Sequence, residues 1–137
     1  MVERRLHPHH FLGKEEKKEI VEAIRAAGKG TTGEIRIHLD RRAGGDAMDR
    51  ARKVFRRQRM HQRKHRNAVL IYLSLEDRSF VILGDEGIHR RVGDSFWEGV
   101  AGSLRSHFSR GQFTEGLKQA LREIGGELKR HFSSTDV

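Results

Sequence analysis

Four residues whose side chains carry oxygen ligands stand beside apolar, strand-like segments: Glu34, Asn67, Asp85 and Asp94. Hard cations such as calcium or magnesium bind several carboxylate and carbonyl oxygens at once, so these residues predict a divalent-cation site if the fold brings them together. No EF-hand loop is present in the sequence. Ordinary structural roles are also open, because Asp94 can cap a helix and Asp85 can form a turn. Glu34 can pair with Arg66.

Arginines near the same segments predict a second chemistry, the binding of a phosphate-type anion. Arg66, Arg90 and Arg91 carry guanidinium groups, which hold phosphate through two parallel hydrogen bonds. In a phosphoryl-transfer reaction Asp85 is the candidate catalytic residue, either as nucleophile or as general base. The aspartate-based and cysteine-arginine loops of phosphatases are absent from the sequence. Catalysis at Asp85 is therefore a hypothesis beside simple anion binding.

The charge of the chain is concentrated in one segment. The formal net charge is +9, from 28 Lys and Arg against 19 Asp and Glu. Nine of the basic residues lie between Arg50 and Arg66, where there is no Asp or Glu. A helix over 46–66 with this charge predicts, as an alternative function, non-specific binding of nucleic acid or another anionic partner. The structural alternative is a solvated helix face.

The periodicity of the apolar residues predicts the elements that position these side chains. Apolar residues at helical spacing predict a first helix over 14–27, and a second helix begins at Asp46. Strict alternation over 34–40 predicts a half-buried strand, and the nearly continuous apolar run 68–75 predicts a central one. A polar turn then leads to a third strand over 79–84. Two further helices follow, one capped by Asp94 or Ser95 and one by Thr114.

The order of these elements predicts a three-layer α/β/α sandwich with a small mixed β-sheet. The first two strands are joined through a helix and should be parallel, whereas the third should form an antiparallel hairpin with the second. Glu34, Asn67 and Asp85 then lie at one edge of the sheet. Asp40 and the turn 76–78 lie at the opposite edge. We expect the central strand, with Tyr72, and residues 80–83 to be covered by helices on both faces.

Five short motifs closely resemble the TPM domain family. They are Thr-Gly-Glu at 32–34, Arg-Asn at 66–67, Asp-Arg at 77–78, Gly-Asp-x-Gly-Ile at 84–88 and Arg-Gly-x-Phe at 110–113. The resemblance extends from about residue 11 to residue 132. Ala68 is a departure, since most members have glycine after the Asn.

The resemblance implies an α/β/α sandwich, the binding of a divalent cation such as calcium and, from some members, acid phosphatase activity. The residues leave open whether this chain is an enzyme. We predict a flexible N-terminal arm over 1–10, a single domain over 11–133 and a short tail over 134–137. The sequence has no cysteine and no apolar run of the roughly 18 residues that a membrane-spanning helix needs. These features predict a soluble cytoplasmic protein.

Overall fold

The computed structural model describes residues 6–134 of the chain. Residues 1–5 of the predicted arm and 135–137 of the predicted tail lie outside the described residues, and the domain boundaries stay a prediction. The elements, in chain order, are α1 Lys14–Gly28, β1 Glu34–Asp40, α2 Ala47–Arg57, a 3-10 helix Met60–Gln62, β2 Ala68–Ser74, β3 Ser79–Gly84, α3 Glu86–Val92, α4 Asp94–Ser109 and α5 Phe113–His131.

The sheet has the predicted topology, with strand order β1-β2-β3. β1 is parallel to β2, with Glu34 opposite Ala68 and Asp40 opposite Ser74. β2 is antiparallel to β3, with Val69 opposite Gly84. The beginnings of β1 and β2 and the end of β3 therefore meet at one edge of the sheet, which we call the pocket edge. The other edge, where β1 and β2 end and β3 begins, is the turn edge.

Helices cover both faces of the sheet, which confirms the α/β/α sandwich. On one face α2 packs its apolar side, with Val54 and Phe55, against Leu70 and Tyr72 of β2. On the other face α1, α4 and α5 form the larger core around Ile71 and its neighbours. Every residue of β2 is buried, as its continuous apolar run predicts. α2 begins at Asp46, whose side chain accepts a hydrogen bond from the Asp49 backbone N–H at 3.0 Å.

Helices pack on both faces of β3, with Phe80 and Ile82 against the larger core and Val81 and Leu83 against the α2 core. Each residue of β3 stays partly exposed, because β3 is an edge strand and lacks a neighbour on one side.

Three local predictions were wrong. Two helices were predicted after β3, but there are three, because Glu86–Val92 forms α3 directly after Asp85. Asp94 is the first residue of α4, and the cap position belongs to Gly93. Thr114 lies inside α5, where its hydroxyl donates a 2.6 Å hydrogen bond to Glu16.

No helix within residues 6–134 is long and apolar enough to cross a membrane.

Candidate functional site

The backbone brings three of the predicted site residues to the pocket edge. The Glu34 N–H donates to the Asn67 carbonyl at 3.4 Å, and the Asp85 N–H donates to the Ala68 carbonyl at 2.9 Å. These two bonds join the beginnings of β1 and β2 to the end of β3. The predicted convergence of the three segments is therefore present in the fold.

Asp85 is the most buried carboxylate at this edge, and both of its oxygens have partners. The side chain is 8% exposed. Arg66 holds it with a guanidinium fork, Nε donating to Oδ2 at 2.7 Å and Nη2 to Oδ1 at 2.8 Å. Oδ1 also accepts from the Glu86 N–H at 2.8 Å, so Asp85 caps α3. The hydrogen bond to Asp85 raises the pKa of the Arg66 guanidinium.

The backbone around Arg66 fits tightly against the first turn of α3. Arg66 has a left-handed φ of 51°, and its carbonyl accepts a hydrogen bond from the Gly87 N–H at 2.8 Å. A Cβ added to Gly87 would lie 2.0 Å from the His65 carbonyl oxygen, so only glycine fits here. This contact fixes the position from which Arg66 reaches Asp85.

Glu34 and Asn67 share a different arginine, Arg63. Arg63 Nη1 lies 4.0 Å from the Glu34 carboxylate, and Nε donates to the Asn67 side-chain oxygen at 3.4 Å. The buried Asn67 amide also donates to the Thr32 hydroxyl at 3.0 Å. Glu34 makes a second ion pair with Arg36 at 3.2 Å. A guanidinium group therefore faces each of these two predicted oxygen ligands.

Asp94, the fourth predicted metal ligand, is much more exposed than the other three. Its side chain is 86% exposed and lies 3.5 Å from His89. Among residues 6–134 no group of three or more His, Asp or Glu side chains is placed to hold a metal ion. The donor set also fits a hard cation poorly, because arginines already contact the oxygens of Glu34 and Asp85.

Of the three predicted anion-binding arginines, only Arg66 lines a pocket at the pocket edge. Arg90 and Arg91 lie on α3 and have other contacts. Arg90 is 3.4 Å from Glu86, and the Arg91 guanidinium lies over the Phe132 ring, 5.9 Å from its centroid. The structure does not bring the three arginines around one point.

The pocket has a volume of about 250 Å³ and lies between α2, the 3-10 helix and the end of β3. Its basic lining consists of Arg52, Arg56, His61 and Arg66, and Asp85 is its one carboxylate. His61 Nδ1 is buried and has no hydrogen-bond partner. We call these residues the arginine pocket.

Three members of the arginine pocket were not predicted as site residues. Arg52 and Arg56 lie within the predicted basic helix 46–66, and neither they nor His61 were singled out. One signal was available, since residues four apart on a helix share a face. That signal does not show which face of α2 turns toward β3.

At the turn edge the charged groups form closed networks. Asp40 accepts hydrogen bonds from Arg50 Nε at 2.7 Å and from the Tyr72 hydroxyl at 2.8 Å, and it lies 2.9 Å from His38 Nε2. Burial alone would raise the pKa of Asp40, but these hydrogen bonds outweigh it and lower the pKa to about 2. Burial raises the pKa of Tyr72, and the bond to Asp40 raises it further, to about 12.

The β2–β3 turn is tied to the loop after β1 in the same way. Asp77 accepts hydrogen bonds from the Ala43 N–H at 3.0 Å and from the Ser74 hydroxyl at 2.5 Å, and both bonds lower its pKa. Hydrogen bonds from Arg42 and Arg41 lower the pKa of Glu76. These bonds join two loops that are more than 30 residues apart in sequence.

Comparison with known proteins gives one consistent relationship. The family model described as the TPM domain matches residues 7–127. The NMR structure of BA42 protein from the psychrophilic bacterium Bizionia argentinensis is 42% identical, with a TM-score of 0.85. The match covers 93% of this chain and 89% of that one.

Two further NMR structures are more distant. The N-terminal domain of a P. gingivalis protein is 19% identical, with a TM-score of 0.71 over 88% of this chain and 78% of that one. The N-terminal domain of a Corynebacterium glutamicum protein is 13% identical, with a TM-score of 0.68 over 90% and 78%. These two support the fold alone. Comparison with curated proteins finds no match.

Proposed function

The chain belongs to the TPM domain family, and we propose that it binds a phosphate-type anion in the arginine pocket. One observation carries the proposal: three arginines and a histidine with an unpartnered ring nitrogen line one cavity that contains a single, already paired carboxylate. Guanidinium groups bind phosphate oxygens through paired, charge-assisted hydrogen bonds.

The charge balance of the pocket favours an anion. Arg66 neutralises Asp85, whereas Arg52 and Arg56 have no carboxylate within ion-pair distance in the described part of the chain. Two guanidinium groups are therefore available to a ligand. A histidine nitrogen that carries hydrogen can also donate to a phosphate oxygen, so an anion would give His61 a partner.

Calcium or magnesium binding by Glu34, Asn67, Asp85 and Asp94 stays a prediction, and the arginines that contact two of these carboxylates count against it. Hydrolysis of a phosphate ester would require a catalytic group in addition to anion binding. Arg66 already binds both oxygens of Asp85, and these charge-assisted hydrogen bonds make the carboxylate a weaker nucleophile or base. We therefore propose anion binding as the function of the arginine pocket. Phosphatase activity is a separate hypothesis.

Phosphate titration at constant ionic strength tests the proposal. Isothermal calorimetry with inorganic phosphate is expected to show saturable binding to the wild-type protein. The double variant R52Q/R56Q should lose at least about tenfold in affinity, because two charge-assisted contacts disappear. K53Q/R57Q is the matched control, since Lys53 and Arg57 carry the same two charges on α2 but do not line the pocket. Equal binding by wild type and R52Q/R56Q would overturn the proposal.

Further measurements with the wild-type protein and D85N test cation binding and phosphatase activity. After treatment with a chelator, calcium or magnesium should leave the melting temperature unchanged if the pocket edge binds anions only. A rise that D85N abolishes would support the cation site. Release of p-nitrophenol from its phosphate ester measures phosphatase activity independently of binding.

A further inference from the structure

Six cations on α2 and the segment after it have no carboxylate partner within residues 6–134. Of the nine basic residues between positions 50 and 66, Arg50, Arg63 and Arg66 form ion pairs. The other six are exposed and are Arg52, Lys53, Arg56, Arg57, Arg59 and Lys64. We call these six the cationic surface.

Other exposed helices carry charges of both signs. On α5, Lys118 is 3.6 Å from Glu115 and 3.3 Å from Glu19 of α1. The carboxylates of α2 lie only at its beginning, where Asp46 caps the helix and Asp49 occupies the first turn. From residue 50 onward, nothing on α2 offsets its positive charge. A solvated helix face needs polar residues, but it does not need charges of one sign.

We propose that the cationic surface binds the phosphate backbone of a nucleic acid duplex without reading its sequence. A duplex presents one negative charge per roughly 1.7 Å of its axis, which complements a dense row of Lys and Arg. Lys53 and Arg57 are four residues apart on α2 and are neighbours on its surface, so both can contact one backbone. The cationic surface shares Arg52 and Arg56 with the arginine pocket, but its other four cations do not line the pocket, so the two proposals can be tested separately.

The side chains around the cationic surface favour a duplex over a single strand. Proteins that bind single strands stack bases on exposed aromatic rings. Phe55 is the only Phe, Tyr or Trp between residues 50 and 66, and it is 6% exposed because it packs against the sheet. Gln58 has a side chain that could contact base edges, but its oxygen accepts a hydrogen bond from Arg36 at 2.8 Å. Contacts to phosphates therefore dominate, and phosphate contacts carry no sequence information directly.

The same face is poorly suited to a membrane. A helix that lies in a bilayer surface inserts its apolar side among the lipids. The apolar side of α2, with Ala51, Val54 and Phe55, is buried against the sheet. Met48 is the one large apolar side chain of α2 with substantial exposure, at 36%.

Fluorescence anisotropy with labelled 20-base-pair DNA and RNA duplexes of unrelated sequence tests this inference. The variant K53Q/R57Q/K64Q removes three members of the cationic surface and leaves the arginine pocket intact. Arg59 is kept, because its left-handed backbone makes it a poor choice for substitution. The control K18Q/R25Q/R130Q removes the same charge from exposed positions on α1 and α5, which cover the other face of the sheet.

The wild-type protein is expected to bind all duplexes similarly, with an affinity that falls steeply between 50 and 200 mM salt. K53Q/R57Q/K64Q should bind at least about tenfold more weakly at 50 mM. Its slope of log K against log salt should be shallower by about 2 to 3, since each lost phosphate contact removes about 0.9. The control should lose less than about twofold, and circular dichroism confirms that both variants are folded.

Three results would overturn the inference. One is the absence of duplex binding by the wild-type protein at 50 mM salt. Another is equal weakening by the two triple variants, which would mean that net charge alone is measured. The third is binding to phosphatidylserine vesicles that K53Q/R57Q/K64Q abolishes while duplex binding is unchanged. Phosphate binding in the pocket is measured separately with R52Q/R56Q, so failure of one proposal leaves the other intact.

Discussion

The two edges of the sheet use similar residues in opposite ways. At the turn edge, Asp40 accepts hydrogen bonds from Arg50 of α2 and Tyr72 of β2, whereas Glu76 and Asp77 of the β2–β3 turn accept them from the loop after β1. At the pocket edge the carboxylates are also paired, but cations are in excess. Arg52 and Arg56 line the arginine pocket without carboxylate partners in the described residues.

Charged residues alone therefore do not mark a binding site. The turn edge is rich in charge, and its network holds two loops together. The pocket edge has positive charge that the protein itself does not neutralise, and a ligand of opposite charge would lower that electrostatic cost. The predictions below test whether stability belongs to the turn edge and binding to the pocket edge.

The largest effect is expected from a change that affects both edges at once. Leu73 is 3% exposed in β2, the strand that connects them. L73A should lower the free energy of unfolding by about 2 to 5 kcal/mol, the usual cost of truncating a buried aliphatic side chain. Urea denaturation measures it. A loss below about 1 kcal/mol would mean that β2 is not the covered centre of the sandwich.

D40N should weaken the hydrogen-bond network of the turn edge and leave the pocket edge unchanged. The substitution removes the charge that Arg50 and Tyr72 contact, and it leaves the Arg50 guanidinium without a carboxylate partner. We expect a loss of about 2 to 3 kcal/mol in unfolding free energy, because Asp40 is partly buried. Phosphate affinity should change less than twofold. A large change in phosphate affinity would show that the two edges are coupled.

Lowering the pH should also weaken the turn edge, because protonation removes the charge of Asp40. The pKa of Asp40 is lowered from 3.8 to about 2, so the folded state favours the ionised carboxylate. The resulting stability is present above pH 4 and is lost as the pH falls toward 2. The loss amounts to about 1 to 2 kcal/mol. Urea denaturation at several pH values measures it, and D40N should show a smaller acid dependence than the wild-type protein. Equal acid dependence in both would assign the effect to other groups.

D85N should have the smallest effect on stability. It tests whether Asp85 competes with phosphate for Arg66 at the pocket edge. Asn retains the oxygen that caps α3, so the expected loss is about 1 kcal/mol. Removing the carboxylate charge frees the Arg66 guanidinium, and phosphate affinity should rise several-fold. Calorimetry measures the change. Weaker phosphate binding in D85N would show that Asp85 helps the ligand rather than competing with it.

α3 is a helix that the local sequence did not predict. The segment Asp-Glu-Gly after β3 is typical of a turn, and a glycine in the first turn of a helix lowers helix propensity. Gly87 is nevertheless required, because its backbone approaches the His65 carbonyl too closely for any side chain. A contact between residues about 20 positions apart decided the conformation there.

Local patterns in the sequence specify the order and pairing of the strands, the convergence of Glu34, Asn67 and Asp85 at one edge, and the cationic character of α2. Apolar periodicity and the handedness of strand crossovers act through the backbone, so they can be read from local patterns. Three contacts instead follow from tertiary packing: Arg66 binds Asp85, Tyr72 donates to Asp40, and Arg52 and Arg56 of α2 lie near the end of β3. Such contacts depend on how packed helices set the positions of side chains far apart in the chain, and no local pattern specifies that.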